Sequence, residues 1–154
     1  MDHVVQKTAE LGVARITPVL TEYAVVKLTA ERAMKRAHHW RGIAASACEQ
    51  CGRNELPVVD EPARLRDVLG GFEGQRGTRV LLDSRGAAAP LSQPPEDDQL
   101  ILLIGPEGGF SNEEIELAEA AGFVAAQFGP RILRTETAAV AALAVIQSRF
   151  GDLG

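Results

Sequence analysis

The sequence predicts an α/β domain built on a mostly parallel sheet. Short, unbroken apolar runs alternate with longer stretches of helical periodicity, and two of those runs lead straight into glycine- and proline-bearing turns that precede helices. Val80-Leu81-Leu82, Leu100-Ile101-Leu102-Leu103-Ile104 and Phe123-Val124-Ala125-Ala126 have the character of strands covered on both faces. Ile16 to Leu20 and Leu56 to Val59 are shorter strand candidates.

Helical spacing runs from about Ala30 to Gln50. Ala33, Ala37, Trp40, Ala44, Ala47 and Cys48 form one apolar stripe, while Arg32, Lys35, Arg36 and His39 fall largely off it. Trp40 lies on the stripe and is read as core rather than as a base-stacking platform. A second helix starts after Ser111, whose hydroxyl can cap free amides while Glu114 reaches back in an S-x-x-E capping box. Ile115 and Ala118 would face the core, and Gly122 would end this helix. A third, from about Glu136 to Arg149, carries the small-residue stripe Ala138, Ala141, Ala142 and Ala144. Residues 84–99, with Gly86, Pro90, Pro94, Pro95 and Glu96-Asp97-Asp98, read as a long loop. No repeat or boundary divides the chain, so residues 1–154 are expected to form a single domain.

Composition narrows the function. At 154 residues, with 45% hydrophobic and 24% charged residues, the chain can bury a real core. It contains no apolar run near the roughly 20 residues that a membrane span needs. Cys48 and Cys51 are the only cysteines, and no signal-peptide pattern precedes the sequence, so a reducing cytoplasm is the expected compartment. The C-x-x-C spacing lacks the second pair that a zinc site would need, and adjacent His38 and His39 point in different directions on a helix, so no metal is expected. The net charge of −5 conceals an asymmetry: residues 1–53 carry eight Lys or Arg against five acids. A basic front half suits a polyanion-binding face, and equally an ordinary solvated surface.

The chemistry concentrates in two turns. Gly105-Pro106-Glu107-Gly108-Gly109-Phe110 follows the strand at 100–104, and Gly129-Pro130-Arg131-Ile132-Leu133-Arg134-Thr135-Glu136-Thr137-Ala138 follows the strand at 123–126. Both are strand-to-helix turns at carboxyl ends, where open α/β sheets bind ligands. Glycine there lets a ligand approach the backbone, although glycine and proline also make tight turns unaided. No G-x-x-x-x-G-K-[ST], G-x-G-x-x-G or G-x-S-x-G is present, which disfavours ATP hydrolysis, ordinary dinucleotide binding and serine-hydrolase chemistry.

Four segments then resemble one family in one order across nearly the whole chain. They are Gln6-Lys7-Thr8-Ala9-Glu10-Leu11-Gly12-Val13, Cys48-Glu49-Gln50-Cys51-Gly52-Arg53-Asn54, Leu103-Ile104-Gly105-Pro106-Glu107-Gly108-Gly109-Phe110 and Gly129 to Ala138. They resemble the RsmE family of bacterial 16S ribosomal RNA methyltransferases, of the SPOUT superfamily, which methylate N3 of a uridine with S-adenosylmethionine. The resemblance implies a SPOUT-type sheet flanked by helices with a C-terminal trefoil knot, a homodimer, and 16S rRNA as partner, held in an assembled small ribosomal subunit. It also implies a cofactor bent among three loops, at Leu82, Asp83, Ile104, Gly105, Gly109, Phe128, Gly129, Ile132, Leu133, Arg134 and Ala138. By the same resemblance, Asp2 to Gly12 matches the first helix of the catalytic domain, and the family's N-terminal PUA-like RNA-binding domain is expected to have no counterpart in these 154 residues.

Neutral uracil N3 bears a proton and is a poor nucleophile, so transfer needs two oriented reactants and support for developing negative charge. Arg134 is the candidate for the uracil oxygens, because a guanidinium stays charged and can fork onto them. Glu136, or secondarily Glu107, is the candidate proton acceptor, although either carboxylate would also serve as a cap or an ion-pair partner. Lys7, Arg15, Lys35, Arg36 and Arg53 are the candidate phosphate contacts. A SPOUT methyltransferase acting on tRNA, a silent dimeric RNA-binding module and a doubly wound nucleotide-binding enzyme are the alternatives.

Overall fold

The computed structural model describes residues 1–23, 29–72, 74–88, 95 and 99–154. The chain opens with α1 (Asp2–Glu10), whose Val5, Thr8 and Ala9 turn inward. The expected strand at 16–20 is divided into β1 (Arg15–Ile16) and β2 (Val19–Leu20). Pro18 lies in the gap, and a proline has no N–H to offer a ladder. The two pieces pair in parallel with different partners, β1 with β3 (Val58–Val59) and β2 with β4 (Ala63–Arg64).

Between them runs α2 (Ala30–Cys51), capped by the Thr29 hydroxyl, which accepts from the Arg32 amide at 3.4 Å. All six residues of the expected stripe are buried. Val5, Trp40, Ala44 and Val59 form the core of this half. The Asp2 carboxylate ties α1 to α2, accepting from Trp40 Nε1 at 3.0 Å and lying 3.0 Å from His39 Nε2. The His39 and Trp40 contacts hold its pKa below the ordinary carboxylate value.

After the short α3 (Leu65–Gly70) comes the main sheet: β5 (Thr78–Ala88), β6 (Leu100–Ile104) and β7 (Val124–Gln127), in the order β6-β5-β7, all parallel. Successive strand residues face opposite sides. Leu81 therefore joins Leu65, Leu69, Leu103, Phe110, Ala118 and Phe123 on one face, while Val80 joins Ala126 and Ile146 on the other. The first face is covered by α3 and α4 (Asn112–Ala120), and the second by α5 (Thr135–Phe150). Among the described residues the parallel pairing falls into three separate sheets rather than one.

The reading of residues 84–99 as a loop is corrected over its first part, because β5 continues to Ala88. Leu82 and Ala87 both align with Ala126, so the residues between them form an irregularity in the ladder. A Cβ on Gly86 would fall 2.4–2.6 Å from the Ala125 and Ala126 backbone, which makes glycine the residue that permits this pairing. Residues 89–94 and 96–98 lie outside the described residues.

The capping box of α4 is present, with both the Ser111 and Glu114 bonds made. Its other end closes as a Schellman motif: Gly122 N–H donates to Glu119 O at 2.9 Å and Phe123 N–H to Ala118 O at 3.0 Å. Among the described residues, no helix is long and apolar enough to cross a membrane.

Arg53 joins the ends of the two N-terminal helices. Its Nη1 donates to Ala9 O at 2.7 Å and Val13 O at 3.2 Å, so its charge satisfies one carbonyl in the last turn of α1 and one in the segment just beyond it. Charge-assisted hydrogen bonds contribute more than neutral ones. Arg53→Met is expected to lower the unfolding free energy by about 2 kcal/mol in urea titration, and an unchanged midpoint would contradict this role.

Candidate active site

Parallel pairing on both sides of β5 makes the carboxyl ends of β6 and β7 open on the same edge of the sheet. The chain leaving β7 must then pass the end of β5 to reach α5. Thr135 Oγ1 donates to Gly105 O at 2.7 Å, so the turn after β7 is fastened to the turn after β6. The two motifs singled out in the sequence are thus brought together at one place, beside Leu82 and Asp83 of β5.

The local backbone explains the glycines. A Cβ on Gly105 would sit 3.0–3.1 Å from the Phe110 ring, which is itself packed in the core, so a side chain there would have to displace that ring. Gly109 and Gly129 have φ of +71° and +74°, and a Cβ on either would meet nothing within 4 Å, so both border open space. Leu82 and Phe128 pack beside the Val80 core, whereas Ile132 is 91% exposed. Leu133 is half-buried and Ile104 lies at the end of its strand. An apolar side chain left open beside backbone-accessible glycines fits an adenosyl group, which needs both an apolar face and unobstructed amides and carbonyls.

Arg134 is the N-cap of α5; its carbonyl accepts from Ala138 N–H at 2.8 Å and its side chain is exposed. Glu136 is half-buried in the first turn of the same helix, and Glu107 is exposed on the other turn. Ala138 is buried behind them. Asp83 is not free to meet a ligand directly. Its carboxylate takes three bonds from Arg85, backbone N–H to Oδ1 at 2.8 Å, Nε to Oδ1 at 2.9 Å and Nη2 to Oδ2 at 3.1 Å, and only 10% of its side chain is exposed. The hydrogen bonds from Arg85 hold the Asp83 pKa below the ordinary value of 3.8, against the effect of burial.

Of the five candidate phosphate contacts, four have intrachain partners. Lys7 pairs with Glu10, Arg15 with Asp60 and Lys35 with Glu31, and Arg53 is bound to carbonyls as described. Arg36 is exposed and makes no ion pair among the described residues. The ion pairs lie at the surface, where such pairs contribute little; the Arg53 contacts join α1 to the end of α2. Cys48 is buried and Cys51 exposed, and both are free thiols. No group of metal-ligating side chains occurs among the described residues. A groove of about 750 Å³ between α1 and α2, lined by His3, Gln6, His38 and Gly42 among others, is remote in sequence from both turns.

Two site neighbours were not anticipated. Tyr23 lies against Gly108, and the preceding Glu22 N–H donates to Glu114 Oε1 at 2.8 Å. Arg85 Nη1 reaches Asn112 Oδ1 at 2.9 Å. Neither contact leaves a local sequence signal, because each joins segments far apart in the chain.

Residues 1–147 match the family described as RNA methyltransferase domain. The chain is 40% identical to ribosomal RNA small subunit methyltransferase E of Buchnera aphidicola, over 99% of this chain and 62% of that protein. It is 33% identical to the protein of the same name from Bacillus subtilis, over 95% of this chain and 60% of that protein. The crystal structure of the Neisseria gonorrhoeae ribosomal RNA small subunit methyltransferase E bound to S-adenosylmethionine superposes with a TM-score of 0.89 at 39% identity, covering all of this chain and 62% of that one. The chain therefore spans about six tenths of the length of the curated relatives that it matches.

The Asp83–Arg85 pair has a signed pH dependence. A carboxylate with a depressed folded pKa stabilises the fold above its unfolded value near 3.8, and that contribution disappears as pH falls through the lower folded value. Asp83→Asn is therefore expected to reduce stability at pH 7 and to flatten the loss of stability below about pH 3.8. Acid-unfolding curves that superpose for parent and variant would contradict this.

Proposed function

Because the chain belongs to the RNA methyltransferase domain family, we propose that it transfers a methyl group from S-adenosylmethionine to N3 of a specific uridine in 16S ribosomal RNA. The observation that carries this reading is the hydrogen bond joining the two glycine-bearing turns, which brings open backbone and an exposed apolar side chain to one edge of the sheet. Relatives named for small-subunit rRNA methylation, and the Neisseria structure with its bound cofactor, support the same assignment. The reading extends to an RNA target held in an assembled small subunit, a cytoplasmic homodimer, and a trefoil knot. The passage of residues 128–134 past the end of β5 to reach Gly105 supports the knot.

When bound, S-adenosylmethionine supplies an electrophilic methyl on sulfur. Gly105, Gly109, Gly129, Ile132 and Leu133 would hold it, with Ile104, Phe128 and Ala138 forming the wall behind. Arg134, standing at the rim with an exposed side chain, orients the uracil by forking onto its oxygens and stabilises the charge that develops as N3 loses its proton. Glu136, one turn edge away on α5, accepts that proton, with Glu107 on the opposing turn as the other carboxylate within the same rim. Arg36 and Lys35 on α2 contribute phosphate contacts that add affinity without sequence readout.

Calorimetric titration with S-adenosylhomocysteine tests the assignment. The folded parent is expected to bind about one equivalent per chain, and Gly105→Val to abolish binding. Ile132→Glu, at a side chain that is 91% exposed, should weaken binding without lowering thermal stability. Arg134→Ala should retain binding and lose methyl transfer to small-subunit particles. Failure of a folded parent to bind, or binding indifferent to both Gly105→Val and Ile132→Glu, would overturn the reading.

A further inference from the structure

The first turn of α4 organises more than its own cap. Glu114 accepts Ser111 N–H on Oε2 at 3.0 Å and Glu22 N–H on Oε1 at 2.8 Å, so one carboxylate closes the capping box and docks the turn that carries Tyr23. Two residues earlier in α4, Asn112 accepts from Arg85 Nη1. The backbone just before Tyr23 and the side chain of Arg85 are thereby fixed to the same helical turn, directly after the glycine turn 105–110.

Each is unusual for its position. Tyr23 is the only tyrosine in the chain, it is 51% exposed, and its Cβ would stand 3.2 Å from a Cβ on Gly108, so its ring rises beside the glycine turn with a face open. Arg85 is held in a fork by Asp83 and by Asn112, yet 55% of its side chain is exposed. A guanidinium has five N–H donors. Asp83 takes one from Nε and one from Nη2, and Asn112 takes one from Nη1, which leaves one donor on each terminal nitrogen without a partner among the described residues. A guanidinium with donors to spare can accept an oxyanion beside the carboxylate that holds it. Its orientation is already paid for by the folded contacts, so little side-chain entropy remains to be lost on binding.

We propose that Arg85 and Tyr23 form a nucleotide-receiving wall on the substrate side of the glycine turn, Arg85 gripping a phosphate of the RNA strand and Tyr23 stacking on an unpaired base next to it. An aromatic face and a preset oxyanion fork, mounted on one rigid turn, match the two chemical halves of a nucleotide in a single-stranded segment. Asp83 then acts through Arg85 as a positioning residue. This inference rests on the methyltransferase reading and adds to it two residues that read the substrate rather than the cofactor.

The test is fluorescence anisotropy of a labelled single-stranded, uridine-containing RNA oligonucleotide with saturating S-adenosylhomocysteine, alongside calorimetry of the cofactor product alone. Tyr23→Leu is expected to weaken RNA binding about fivefold or more, the low end for loss of a stacked aromatic, while Tyr23→Phe retains it. Arg85→Gln is expected to weaken it similarly, and Arg85→Lys not to rescue it, because an ammonium cannot fork. Affinity for S-adenosylhomocysteine should stay at the parent value in all four, which also certifies the fold. Parent RNA binding that is absent, or unchanged in Tyr23→Leu and Arg85→Gln, would overturn the inference while leaving the cofactor reading intact. If Arg85→Gln loses S-adenosylhomocysteine but still binds methylthioadenosine, which lacks the amino-acid carboxylate, the fork serves the cofactor and the proposal fails. If the folded parent binds no S-adenosylhomocysteine, the underlying methyltransferase reading falls, and the proposal falls with it.

Discussion

The candidate site depends on one crossing of the chain. The segment after β7 leaves one flank of β5 and reaches the turn on the other flank, where the Thr135 hydroxyl meets the Gly105 carbonyl. This crossing is imposed by the strand order, because a parallel sheet with β5 in the middle separates β6 from β7 by two strand spacings of roughly 4.8 Å each. The turn at 128–134 must be long enough to span that gap, and within it Ile132 is left exposed and a Cβ on Gly129 would meet nothing within 4 Å.

Rigidity is distributed so that the turns are held from behind. Leu81 and Val80, fully buried on opposite faces of β5, anchor the strand between two apolar layers. Phe110 locks the end of the first turn into one layer, and Ala138 with Ile146 seats α5 on the other side. The N-terminal half is joined to this body through Gln147, whose Nε2 donates to Leu11 O at 2.8 Å, and is stiffened internally by Asp2 and Arg53. The basic face of α2 thus has a fixed placement relative to α5, the helix that presents Arg134 and Glu136.

Much of this was legible in the sequence where a signal is local. The α2 stripe is read from its spacing alone, since alanines and Trp40 recur with helical period, and all six residues are buried. The α4 box needs only Ser111 and Glu114, and the strand cores need only uninterrupted apolar runs. What escaped reading is non-local. Gly86, in a proline-rich stretch, reads as a loop former, although glycine inside a strand also marks close approach of a second backbone, which is its role against Ala125 and Ala126. Arg53 looked like a phosphate contact because it is basic and within a family segment, but its partners, Ala9 O and Val13 O, are contributed by a segment some forty positions earlier. The pairing of Asp83 with Arg85 has no sequence signal, because no spacing rule pairs residues two apart on a bulged strand.

The most direct measurement is an amide-shift titration of the isotopically labelled domain with S-adenosylhomocysteine. Convergence of the two turns on one ligand requires the largest shifts at Gly105, Gly109 and Gly129, and through Ile132 to Arg134, all titrating with a single dissociation constant. Shifts confined to Gly42, Ala47 and Gln50 in the groove between α1 and α2, with the glycine turns unmoved, would place the ligand elsewhere and contradict the account.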